Sequence, residues 1–248
     1  MSCKLYANIG LYHENDYGTL EKRIIAAAQC NADAVILNKS TPRLVIPPEK
    51  HYVSFKSKWG SMPYIEAANR AEISTENMQK IDELTQNIGI PLIFSTTDSV
   101  AAEQIKEYTS CTTIKLHCDS VDVYELARYC QSNFQHTIYH IKHWDEFNVL
   151  YKNGLRKKHY SVYYTTESFP PKLEELEFSL MDSFIKQSIT TGYEGREAGI
   201  FPCLALGYRG VDYIEKYLGD ADTGHESILT PEQFYDLFNS LKIMTDAL

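Results

Sequence analysis

The chain has 248 residues, 44% of them hydrophobic and 23% charged, with 24 basic against 33 acidic residues for a net charge of −9. A chain of this length buries most of its apolar surface without staples, which excludes a disulfide mini-scaffold, a disordered chain and a fibrous repeat. No cationic run exceeds Arg156-Lys157-Lys158, which excludes non-specific binding to nucleic acid or an anionic membrane, since both rest on clustered cations.

Short apolar runs alternate with amphipathic stretches along the whole chain. The runs are Lys4–Ile9, Ala34–Asn38, Pro91–Ser95, Thr113–Leu116, Thr137–Ile141, Tyr160–Tyr164, Ser188–Thr191 and Tyr213–Tyr217. Several, such as Ala34–Asn38, are apolar almost throughout, the pattern of parallel strands buried on both faces. Between them, Leu20, Ile24, Ala27 and Ala28 repeat at helical spacing, as do Met78, Ile81, Leu84 and Thr85. Further helices are predicted over Val100–Tyr108, Val121–Tyr129, Asp145–Tyr151, Leu173–Leu180, Ile200–Tyr208 and Pro231–Thr245. Ser74 with Asn77, and Thr230-Pro231 with Gln233, read as helix starts. Residues 40–72 break the rhythm with four prolines and read as a long loop after the second strand.

Eight strands alternating with eight helices predict a closed parallel (β/α)8 TIM barrel occupying residues 1–248 as a single domain. An open doubly wound sheet would show a glycine-rich turn after its first strand, where this chain has Gly10 alone. The six cysteines form no C-x-x-C pair, so free thiols in a reducing compartment are expected. The start Met-Ser-Cys-Lys-Leu leads straight into a strand without a signal-peptide core, and the expected location is cytoplasmic.

A barrel builds its active site at the C-terminal ends of its strands. The polar residues there are the candidates: Asn8 and His13 after the first strand, Lys39 after the second, Ser95, Thr96 and Asp98 after the third, and Lys115 in the fourth. Glu167 follows the sixth, Glu194 and Arg196 the seventh, and Glu215 and His225 the eighth. Charges in apolar runs are costly without partners. Lys39 and Lys115 converging on one mouth would bind a phosphate or carboxylate, with Arg196 as a planar clamp and Ser95 and Thr96 as neutral donors. Each lysine could instead pair with a neighbouring carboxylate. His140 and His143, with His117 alongside, match a metal pattern only loosely. Cys118 is read as core, although it lies close to Lys115.

The strand ends, taken in order, resemble the barrel of the sialic acid (N-acetylneuraminate) synthase family. ANIG (7–10) is similar to that family's Ala-Glu-Ile-Gly, and AAAQCNADAVILNKS (26–40) to its first helix and second strand. KWGSMPYIEAANRAEIS (58–74) resembles a Trp-Gly loop of some members, GIPLIFSTTD (89–98) the Ser-Thr-Pro-x-Asp segment, and IKLHC (114–118) the Tyr-Lys-Ile-Ala-Ser strand. TTESFPP (165–171) is similar to Thr-Ser-x-Tyr-Pro, and GYEGREAG (192–199) to Gly-Tyr-Ser-Asp-His-Thr-x-Gly. YIEKYL (213–218) and TGHESILTPEQF (223–234) resemble the closing Ile-Glu-Lys-His-Phe and Gly-Pro-Asp-His…Pro-Glu-Glu-Phe.

The resemblance implies condensation of phosphoenolpyruvate with an N-acetylated amino sugar, assisted by Mn2+ or Mg2+ as a Lewis acid. It implies that Lys39, Thr96 and Lys115 contact phosphoenolpyruvate; Asn8, Ser95, Asp98, Glu167 and His225, at the strand ends around them, are expected to line the substrate site. The departures bear on chemistry. The family's first-strand glutamate is Asn8, its two metal histidines are Arg196 and Tyr217, and the serine before the first of them is Glu194. Its sugar-contacting pair is Glu167 and Phe169, and the aspartate before the surviving His225 is Gly224. A guanidinium stays protonated and is no metal ligand. The expectation is therefore no metal at the family position and no other cofactor.

Two readings follow. In one, a divergent synthase works without that metal or with a relocated one and uses Arg196 to polarise the aldehyde; Glu215 joins the catalytic set with His13, which is either an acid–base group or a structural hydrogen-bonder of its loop. In the other, a non-catalytic relative binds a phosphorylated or carboxylated ligand or a partner protein. The partners expected are a phosphoenolpyruvate-like anion, an amino sugar, and a second copy of the chain or a true synthase. The family's C-terminal antifreeze-like domain has no counterpart expected within the 248 residues.

Overall fold

The computed structural model describes residues 3–10, 13–57, 60–120, 123–152, 159–220 and 225–246. In chain order it forms β1 (Lys4–Asn8), α1 (Tyr17–Gln29) and β2 (Ala34–Lys39). An excursion follows, with α2 (Pro42–Val45), β3 (Ser54–Ser57), β4 (Gly60–Pro63) and α3 (Tyr64–Ala71), before α4 (Thr75–Ile88). The alternation then resumes with β5 (Leu92–Thr96), α5 (Ser99–Tyr108), β6 (Thr113–His117), α6 (Val123–Asn133), β7 (His136–Ile141), α7 (Trp144–Lys152) and β8 (Tyr160–Tyr164). It ends with α8 (Phe178–Lys186), β9 (Thr191–Gly195), α9 (Phe201–Arg209), β10 (Tyr213–Leu218), β11 (Ile228–Leu229) and α10 (Pro231–Asp246).

Strands β1, β2, β5, β6, β7, β8, β9 and β10 pair in parallel in that order, and β10 closes on β1 through Lys4↔Tyr213 to Asn8↔Tyr217. This is a closed (β/α)8 barrel. Among the described residues no helix is long and apolar enough to cross a membrane.

Side chains alternate between the two faces of each strand. The outward set includes Leu5, Val35, Leu37, Phe94, Ile114, Leu116, Ile141, Val162 and Ile214, buried in one core with helical residues such as Leu20, Ile24, Ile81, Ile105 and Phe184. Each such side chain contributes about 1.5–3 kcal/mol on burial. The inward set at the N-terminal end is a second cluster of Ala34, Ile36, Ile93, Ile138 and Tyr163, packed against Tyr6 and Tyr213. The three tyrosine rings lie 5.2 to 6.5 Å apart and fill the floor of the lumen. Tyr163 fits because its neighbour is Gly192, where a Cβ would come within 2.4 Å of the ring.

Helix starts are fixed locally. Ser74 Oγ accepts from the Asn77 amide, and Thr230 and Gln233 bond each other reciprocally, as their spacing predicted. Asp16 and Asp98 cap α1 and α5 in the same way.

Three expectations change. The seventh strand is Thr191–Gly195, not Ser188–Thr191. Its two glycines weaken the apolar signal, yet close packing under Tyr163 and against Cys203 requires them. The helix expected over Leu173–Leu180 is a 3-10 turn, Leu173–Glu175, followed by α8 from Phe178. Leu173 is exposed, whereas Leu180, Met181 and Phe184 are buried, so the apolar stripe that docks the helix starts later. Residues 40–72 are not a plain loop, because they hold two helices and the β3–β4 hairpin.

Candidate active site at the barrel mouth

The strand period sorts the candidate residues into two sets. Asn8, Ser95, Lys115, His117, His140, Glu194, Glu215 and Tyr217 share the inward face, as the registers Asn8↔Tyr217, Ser95↔Lys115, His117↔His140 and Glu194↔Glu215 show. Lys39 and Thr96 are paired with each other on the opposite face.

The lumen is charged and closed. Lys115 Nζ lies 2.6 Å from Glu194 Oε2 and donates to both Glu215 oxygens at 2.8 Å. Glu215 Oε1 also accepts from Asn8 Nδ2 at 2.7 Å. Glu194 Oε1 accepts from Arg196 Nε and from Tyr217 Oη, both at 2.8 Å. His140 Nε2 sits 2.7 Å from Glu194 Oε2, at ion-pairing distance but out of line for a good hydrogen bond. Arg196 Nη1 donates to the Thr166 carbonyl at 3.0 Å. Behind these, His140 Nδ1 and His117 Nδ1 are 3.1 Å apart, and His117 Nε2 is 3.0 Å from Ser95 Oγ.

Electrostatics follow from burial and pairing. Burial alone would raise the Glu194 carboxyl, but the Lys115 ammonium and the Arg196 guanidinium outweigh it and hold it well below the usual carboxylate range. Glu215 is pushed up, because burial exceeds the pull of Lys115. Burial, with Lys115 nearby, lowers His140 to about 4, and burial with His140 alongside lowers His117 well below its ordinary value. Both imidazoles are therefore neutral at pH 7. Burial raises the Cys118 thiol well above its usual value, so it is no nucleophile at neutral pH.

The expected convergence of Lys39 and Lys115 is not what the structure shows. Lys39 lies outside the wall, its Nζ 3.6 Å from Glu72. It follows Asn38, and one step along a strand reverses the side-chain direction. Thr96 also faces outward, with Oγ1 on the Asp98 carbonyl at 3.2 Å. Asp98 caps α5 and holds Thr41, accepting from its amide at 2.7 Å. His143 and Glu167 pair at 3.4 Å on the surface, so His143 does not join His117 and His140. His225 stacks on Phe169 with centroids 4.3 Å apart, and Phe169 reaches Tyr217 at 5.1 Å, which places this aromatic pair beside the lumen cluster. His13 is buried in the loop after β1, where Nδ1 accepts from the Asn15 amide. Trp59, the Arg156–Lys158 run and Gly224 lie outside the described residues. A separate cavity of about 310 Å³ opens beside the starts of α5 and α6, lined by Asp98 and Asp119 rather than by cations.

The residues present do not fit the divalent metal that the resemblance implies. The resemblance puts Arg196 and Tyr217 where the family has its histidines, and the nearby carboxylates are already engaged by Lys115 and Arg196 at 2.6 to 2.8 Å. Two fixed cations oppose a third. Among the described residues no group of three or more histidine, cysteine or acidic side chains is arranged to hold a metal ion.

His117 and His140, expected side by side, do meet, but around Glu194 and without His143; the hydroxyl of Tyr217 is the member of the cluster that sequence reasoning missed. The signal was available: Tyr217 is two residues from Glu215 in the same strand.

The fold is similar to several solved structures. An N-acetylneuraminic acid (sialic acid) synthetase from Leptospira borgpetersenii, in complex with citrate, superposes with a TM-score of 0.84 at 17% identity, covering 100% of this chain and 85% of that one. A spore coat polysaccharide biosynthesis protein from Bacillus subtilis gives 0.75 at 14% identity, covering 99% and 68%. A phospho-2-dehydro-3-deoxyheptonate aldolase from Thermotoga maritima gives 0.70 at 10% identity, covering 100% and 69%. No curated protein sequence matches the chain. The model of the NeuB family matches residues 23–248, and the chain belongs to that family.

Proposed function

We propose that this NeuB-family barrel is a non-catalytic member that serves surface carbohydrate biosynthesis as a binding partner rather than condensing phosphoenolpyruvate in its lumen. One observation carries the reading. Glu194, fully buried, brings its own carboxylate to Lys115, Arg196 and Tyr217, so the cations that would receive an anionic substrate are already matched. A tethered anion competes at an effective concentration that a free metabolite does not reach. The lost fit for a metal removes the Lewis acid that the family chemistry uses. The biosynthetic setting is supported by family membership and by the names of the similar structures.

A second reading keeps catalysis. Arg196 is the lumen cation nearest solvent, with 15% of its side chain exposed against 1% for Lys115. In that reading its guanidinium polarises a sugar aldehyde in place of a metal.

Phosphate release from phosphoenolpyruvate across a panel of N-acetylated and free hexosamines, with and without Mn2+, separates the two. No turnover with any sugar is expected. Metal-independent turnover lost in Arg196→Lys would overturn the proposal and establish the second reading.

A further inference from the structure

The polar groups around Glu194, three hydrogen-bond donors and one imidazole at pairing distance, match the shape of their occupant. Oε1 receives Arg196 Nε and Tyr217 Oη, each at 2.8 Å. Oε2 faces Lys115 Nζ at 2.6 Å and His140 Nε2 at 2.7 Å. Two polar groups per oxygen suit a flat two-oxygen anion. They suit a tetrahedral phosphate or a spherical halide less well.

Each of these groups is also held by something other than the Glu194 carboxylate. Lys115 is anchored by both oxygens of Glu215, Arg196 by the Thr166 carbonyl, and His140 by His117. Tyr217 packs against Phe169, and the Glu194 carbonyl is fixed by Thr165 Oγ1 at 3.2 Å. Shortening the Glu194 side chain would therefore leave its surroundings in place. It would also remove one negative charge from a buried group of two cations and two carboxyls.

We propose that Lys115, His140, Arg196 and Tyr217 form a nest for a small planar monocarboxylate, and that Glu194 is its resident ligand. The wild-type chain excludes external carboxylates because it supplies one. The inference rests on the reading of the lumen as closed, and it adds the class of anion that the lumen recognises. Acetate and formate have the size of the group that truncation removes. Their route in passes Arg196 and Tyr217, the two members of the cluster that are only partly buried.

The test is thermal unfolding of the wild type, Glu194→Ser and Glu194→Gln in acetate, formate, chloride or phosphate at constant ionic strength. Glu194→Ser is expected to melt below the wild type and to regain stability with the logarithm of acetate concentration, as one-site linkage requires. Chloride and phosphate should not substitute. Glu194→Gln still fills the nest and should not respond to acetate. The double variant Glu194→Ser/Arg196→Ser should not respond either. Should Glu194→Ser be recovered unfolded, its refolding yield with and without acetate is the readout, and equal yields overturn the nest. An acetate response as large in the wild type, or none in folded Glu194→Ser, overturns it as well. Turnover of phosphoenolpyruvate by the wild type would overturn the closed-lumen reading instead, so the two failures are distinguishable.

Discussion

Lys115 and Lys216 are both fully buried, and they stand on opposite faces of the barrel wall. Lys216, on the outer face of β10, donates to the Glu197 carbonyl at 2.6 Å and pairs with Glu197 Oε1 at 3.2 Å. The Glu197 carboxylate is completed by Tyr193 Oη and Cys203 Sγ. That shell is packed solid: a Cβ on Gly195 would lie 2.7 Å from Cys203 Sγ. Lys115 meets two carboxylates in the lumen, beside an arginine that reaches solvent. A buried lysine–glutamate pair is thus a strut where packing surrounds it. It becomes part of a site where further donors converge on one carboxylate and a path leads outward.

The largest expected effect tests the strut. Lys216→Met leaves Glu197 buried without its cation, and urea unfolding should show a loss of about 3–5 kcal/mol. Lys115→Met should cost less, about 2–3 kcal/mol, because Arg196 still pairs with Glu194 and burial already favours the protonated form of Glu215. A larger loss at Lys115 than at Lys216 would break the comparison.

Next comes pH, whose main action through histidine should lie in the lumen, with His136, also lowered by burial, adding to it. Unfolded histidines titrate near 6.5, whereas folded His140 titrates at about 4 and His117 well below its ordinary value. Below about pH 6.5 the unfolded chain therefore takes up protons that the folded chain refuses. Stability falls as pH drops from about 6.5 to about 4, by up to about 1.4 kcal/mol per pH unit for each histidine. Glu215, raised by burial, opposes this because its folded carboxyl binds a proton first, so the slope should steepen in Glu215→Gln. Urea unfolding at pH 7, 6 and 5 measures it, and a slope unchanged in His117→Asn/His140→Asn would place its source elsewhere.

The smallest effect concerns the lysine on the wrong face for the lumen. Lys39→Ala loses a 3.6 Å contact to Glu72, which Ser40 still holds through its amide and hydroxyl, both at 2.8 Å. A loss of about 1 kcal/mol is expected. The acetate response of Glu194→Ser should survive this change, and its disappearance would mean that the two faces are not separate.

Much of the architecture was legible because a parallel barrel repeats one signal eight times. Runs such as Ala34–Asn38 needed only apolar character to be recognised. The seventh strand was misplaced because Thr191–Gly195 keeps glycines for close packing, a demand set by Tyr163 and Cys203 on other elements. In the site, residue type was legible and direction was not. Lys39 and Lys115 look equivalent at two strand ends, and only the register with neighbouring strands decides which one enters the lumen. The role of Glu194 was hidden for a related reason. A carboxylate that completes a ring of donors is recognised only when Lys115, Arg196 and Tyr217, drawn from three strands and their ends, are brought to it.

The excursion after β2 has a neck. Ser40 and Glu72, at its two ends, are tied by two hydrogen bonds, while Asp98 grips Thr41. The thirty-odd residues between leave and rejoin the barrel at one knot. Loop-closure entropy varies only slowly with length, so the segment above the knot can lengthen, shorten or change sequence without shifting β2 or α4. The barrel thereby carries a replaceable attachment at its mouth, where new surface can evolve while the wall beneath stays fixed.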